Sequence, residues 1–176
     1  MEKYNYSSDE YQKLVFEQLN NCNDIELAIL KGHILIENLL NHFVYKVSSH
    51  LGEFEETKFN FSQKLHLFYI FATDNVTEIK NSINLLNKLR NEIAHRLTFE
   101  EKLLQTFITS VIDNYKSMKG FKEENTLDTI KSAITFLCGC LYGQIEMESI
   151  KKDLVKDLIS GKSKALTLKH RENEKI

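Results

Sequence analysis

The chain has 176 residues, 42% of them hydrophobic and 27% charged, and a net charge of −2. That length carries one domain with a full core, and the composition excludes both a disordered chain and a polycation that coats nucleic acid by bulk charge. With no Pro and only six Gly it lacks the turn residues of a β-sandwich, so an all-α domain is expected.

At the start, Ser7 with Glu10 forms a capping box that opens a helix over 8–20, with Tyr11, Leu14, Val15 and Leu19 as its apolar stripe. Asn23 with Glu26 repeats the signature. A long helix over 24–50 follows, and Gly52 is its expected stop. From Leu27 to Val44 this helix is apolar on almost every side, which predicts burial by several neighbours. One polar stripe interrupts it: His33, Glu37 and Asn41, four residues apart. A carboxylate placed there must reach solvent in a cleft or pair with a cation, because burying it alone is costly.

Residues 53–61 read as a connection. Ser62 is expected to cap a short apolar helix, QKLHLFYIFA, with a turn at Thr73–Thr77 after it. The next helix runs from about Glu78 to Arg96 on the seam Ile79, Ile83, Leu86, Ile93 and Leu97, and Arg90 stands where that seam skips a position. Thr98 with Glu101 then opens a helix whose stripe runs from Leu103 to Tyr115, broken by Gly120 and the run KEEN. A last helix starts near Thr126 and extends to Ile159. Residues 150–176 hold eight Lys/Arg against four Asp/Glu, so the end of the chain is basic. The expected organisation is one helical domain over 1–160, with five to six helices in an up-and-down bundle, and a flexible basic tail over 161–176.

Most chemical motifs are missing. Cys138 and Cys140 lie two apart on a helix, so their side chains diverge by ~200° and cannot chelate together. With Cys22 they read as small core residues. His42 and His50 have no third ligand nearby, and no phosphate loop, dinucleotide fingerprint or zinc pattern occurs, so no metal or cofactor is expected. The longest apolar patch, AITFLCGCLYG, is too short to span a bilayer, and no leader opens the chain; a cytoplasmic protein is expected.

The segment RNEIAH, Arg90 to His95, stands apart. An Arg in a core-facing seam is expensive unless a carboxylate or an incoming anion meets its charge. Asn91 and His95, four apart, share a helix face beside it. Packed against itself in a symmetric dimer, this region would bring two Arg and two His into one cleft. Such a cleft can bind a phosphodiester and move protons near neutral pH. Spacing alone leaves a second reading open, a His at a helix end and an Arg paired with a buried acid.

These residues resemble the signature of the HEPN superfamily: Arg, a polar residue, then His after a short gap. The order GHILIENLLNHFV, FSQKLHLFYIF and LLNKLRNEIAHRLTFEE is similar to the mannitol-operon repressor-like branch over roughly residues 25–105. The resemblance implies a helical homodimer with paired motifs at its interface. Active members are metal-independent endoribonucleases, commonly toxins or anti-phage effectors. Carried over, His95 is the acid/base, Arg90 steadies the phosphorane and Asn91 orients substrate. Glu37 matches the branch's helix acid and is expected to pair with Arg90. Other members are inactive modules that bind or regulate partner proteins, so RNA, an antitoxin or a regulatory protein are the partners implied. Lys80, Lys88, Arg96 and Lys102 are offset by Glu78, Glu92, Glu100 and Glu101, which argues against tight sequence-independent RNA binding.

Overall fold

A computed structural model of the chain describes residues 7–48, 58–72, 76–115 and 126–160. Among the described residues there are six α-helices and no strand: α1 (Ser8–Asn20), α2 (Ile25–Val47), α3 (Phe61–Phe71), α4 (Thr77–Arg96), α5 (Glu101–Tyr115) and α6 (Thr126–Ile159). The domain is all-α, as its composition predicts. The expected stop at Gly52, the turn after Thr73, the break at Gly120 and the basic tail over 161–176 lie outside the described residues.

Local chemistry sets the helix starts. Ser7 Oγ accepts from the Glu10 amide and the Glu10 carboxylate accepts from the Ser7 amide, so both halves of the first capping box are present. At α2 the cap is Asp24 in place of Asn23, its Oδ1 taking the Leu27 amide at 2.7 Å. At α3 it is Asn60, which exchanges bonds with Gln63 at 2.9 Å in each direction and leaves Ser62 inside the first turn. An Asn with Gln three residues on offers a reciprocal pair, which Ser62 cannot form with Leu65. The amide before α5 is Glu100's, accepted by Glu92 at 3.0 Å across the turn, in place of the expected Thr98–Glu101 box. Leu97 ends α4 in the left-handed region, with φ 57°.

α2 is the central element. Ala28, Ile29, Ile36, Leu40 and Phe43 are fully enclosed, and α1, α3, α4 and α6 all pack against it. Its fit to α6 depends on Gly32, where a Cβ would sit 2.5 Å from Ile134 Cδ1. α1 lies over the pair, with the Tyr11 hydroxyl donating to the Leu35 carbonyl and its ring stacked on Tyr142. α4 and α5 form a hairpin in which Ser82 and Ser110 meet at 3.0 Å.

Chain direction departs from strict up-and-down alternation at two steps: α5 and α6 share one sense, since α5 folds back on α4 and α6 runs along α2, and so do α2 and α3. His33 stacks on Phe61, Glu37 pairs with Lys64, and Phe43 meets Phe68 edge-on. These pairs rise together along both helices, so α3 runs in the same sense as α2. α4 runs the opposite way: Asn87 lies level with His33, while Lys80 covers Tyr69, one residue beyond Phe68. This placement brings the start of α3 and the second half of α4 to the N-terminal half of α2.

Candidate polar cleft between three helices

The polar stripe of α2 and the motif of α4 face each other there. His33 and Lys64 are buried, and Glu37, Asn87, Arg90 and Asn91 are half-buried. Asn87, Arg90 and Asn91 share one face of α4 by their steps of three and four. The Arg90 guanidinium donates through Nη1 to Asn91 Oδ1 at 3.0 Å.

Glu37 does pair with a cation, but the cation is Lys64, at 2.7 Å, and not Arg90. The physical reason is burial. Lys64 enters the core from the first turn of α3 with its side chain 11% exposed, and an ammonium so placed requires a carboxylate. The consequence falls on Arg90. Among the described residues no carboxylate pairs with it, so its charge is held by a neutral amide alone. The alternative of an Arg neutralised by a buried acid is therefore not what the described residues form.

His33 completes the cluster. Its Nε2–H donates to Asn87 Oδ1 at 3.0 Å, and its ring lies on Phe61. Burial lowers its pKa, and the nearby positive charges of Arg90 and Lys64 press the same way, against the bond to Asn87 and the charge of Glu37. The ring is thus neutral at pH 7. Holding the Asn87 oxygen turns that amide's N–H groups the other way, as donors. The charges of the cluster are Arg90, Lys64 and Glu37, a net +1 that favours one anionic group.

His95 stands apart from this network. It is exposed in the last turn of α4, where a cation suits the helix dipole, and it makes no hydrogen bond or ion pair among the described residues. Arg90 and Asn91 are joined directly, while His95 lies one turn beyond Asn91 on the same face. Lys64 and Asn87 were not apparent as site residues from spacing. The signal that finds Asn87 is its register with Arg90 and Asn91.

Other reactive groups are engaged elsewhere. Burial pushes the Cys138 thiol up to about 12 and Cys140 to about 11, so neither is a nucleophile at neutral pH. Cys22 and Cys138 are buried core residues, and Cys140 is half-buried. Among the described residues no group of three or more His, Cys, Asp or Glu is placed to hold a metal ion, and no helix is long and apolar enough to cross a membrane. Compared with known families, curated proteins and solved structures, the chain matches none.

Proposed function

We propose that the chain is a metal-independent endoribonuclease of the HEPN type, acting as a homodimer that pairs the Arg90/His95 motifs of two copies. The observation that carries this reading is the state of Arg90: half-buried, oriented by Asn91, and without a carboxylate among the described residues. A guanidinium so placed lacks one anion, and a phosphodiester supplies it. His95, exposed one turn beyond Asn91, is the imidazole placed to remove a proton from a ribose 2′-hydroxyl or to protonate the leaving 5′-oxygen. With one His from each copy, one acts as base and the other as acid. The 2′-oxygen attacks phosphorus, Arg90 holds the phosphorane, and the products are a 2′,3′-cyclic phosphate and a 5′-hydroxyl. A toxin or anti-phage role is consistent with this chemistry.

One observation favours a second reading. His95 has no acid or carbonyl fixing its ring among the described residues, as a silent regulatory or protein-binding module of the same superfamily would allow. Cleavage of total RNA in EDTA separates the two. The nuclease reading expects cyclic phosphate ends from the wild type, a loss of about 10²–10⁴ in rate for His95→Ala, and a loss of about 10²–10³ for Arg90→Ala. Intact RNA in the presence of folded wild-type dimer favours the binding module.

A further inference from the structure

The C-terminal half of α6 carries a large exposed apolar surface, on which none of the other five helices packs. Met147, Ile150, Leu154, Val155, Leu158 and Ile159 are between 41% and 83% exposed. Met147, Ile150, Leu154 and Leu158 fall in steps of three and four, on one face of the helix. Val155 and Ile159 continue the face that Leu141 and Ile145 bury in the core further back. α6 has 34 residues against 23 for α2 and runs in the same sense, with Gly32 level with Ile134 and Lys152 reaching the Lys46 carbonyl at the end of α2. Everything beyond Lys152 therefore projects past its main neighbour.

We propose that this stripe is a self-association seam, occupied by the same stripe of a second copy in an antiparallel helix pair. The exposed apolar side chains amount to roughly 600 Å², at the upper end of what monomers leave bare and close to the ~800 Å² that a standard interface takes from each partner. Charge points to a like partner. Residues 147–159 hold three Lys against three Asp/Glu, so a second copy meets no net repulsion. The charges are interleaved, and Lys151–Glu148 and Lys156–Asp153 pair within the helix. An anionic membrane surface would instead call for a basic polar face, which this segment lacks. Antiparallel pairing about a two-fold axis sets Ile150 of each copy toward Leu154 of the other and keeps the two bundles at opposite ends of the pair.

This seam is not the one the Arg90/His95 reading requires. His95 lies eight residues beyond Asn87, toward the N-terminal end of α2, whereas the stripe lies at and past the C-terminal end. By helix rise the two are ~40 Å apart along the bundle. The inference thus stands or falls separately from the nuclease reading.

Sedimentation velocity on the full chain over a concentration series tests it, with Leu154→Glu/Leu158→Glu beside the wild type. Expected is a wild type that associates one step beyond the double variant, whose α6 contact is weakened ~100-fold or more with helix content unchanged by circular dichroism, while any dimer held through Arg90/His95 persists in both. A wild type that stays monomeric at the highest concentrations overturns the proposal, as does a variant that reaches the same assembled size as the wild type. Should the double variant lose helix content, Leu158→Lys in the last turn of α6 replaces it, with the same expected and overturning outcomes. Binding of wild-type monomer to vesicles of anionic lipid, without self-association, also overturns it.

Discussion

Lys64 and Glu37 show how a single buried charge rearranges its surroundings. The Lys64 side chain is 11% exposed and that of Glu37 35%, so the two partners do not lose the same amount when separated. Glu37→Gln strands a buried ammonium and is expected to cost ~2–3 kcal/mol in chemical denaturation. Lys64→Met leaves a carboxylate that water can reach, and is expected to cost ~1 kcal/mol or less. The reverse order would show that the pair is not what fixes Lys64. The two histidines of α2 give a pH dependence. Burial lowers the pKa of His42 to about 4, with Lys46 adding to the effect, and His33 is shifted the same way by burial and by Arg90 and Lys64, with Asn87 and Glu37 opposing. Both bind protons more weakly folded than unfolded. The unfolded state therefore takes up more protons below ~6.5, and stability falls as pH drops from there toward 4. Urea midpoints at neutral and acid pH check this, and His42→Leu should flatten the slope.

Among the helices, the contact that decides the architecture is Gly32 against Ile134. Replacing Gly by Ala inside a helix ordinarily gains ~1 kcal/mol, but here the added methyl would lie 2.5, 2.9 and 3.0 Å from three Ile134 carbons. Overpacking of this kind costs ~1–3 kcal/mol, so Gly32→Ala is expected to lower stability on balance. Ile134→Val removes the nearest of those carbons. Gly32→Ala should therefore cost less in that background, and equal costs in both would refute the clash. The shared direction of α2 and α3 is also an element-level outcome. It lets Phe61 and Lys64, in the first turn of α3, meet His33 and Glu37.

For the whole molecule, the two ends of the bundle differ in kind. One end holds the polar cleft and His95, and the other ends in the apolar stripe of α6. Charge substitution in that stripe is expected to leave any RNA cleavage within about twofold of wild type, since it is far from Arg90 and touches no residue of the cleft. A parallel loss of cleavage and association in Leu154→Glu/Leu158→Glu would mean that the paired motifs depend on α6 after all. Measuring RNA ends and sedimentation on the same preparations decides this.

The helices were legible in the sequence because each buries one stripe, and apolar spacing records which face is covered. Their existence and approximate bounds followed from that spacing, as did the capping of α1, where Ser7 and Glu10 sit within one turn of each other. The same local logic marked Arg90 as an unusual seam residue and required solvent or a cation for Glu37. Which cation was beyond it. Lys64 and Glu37 are 27 positions apart, as His33 and Asn87 are 54 apart, and only the packing of α3 and α4 on one half of α2 brings them together. Periodicity reports that a face is buried but not against what. The tertiary structure alone decided that Lys64 takes the carboxylate and that no described acid neutralises Arg90. It also decided that α6 outruns α2, which leaves the apolar side chains of its last turns exposed.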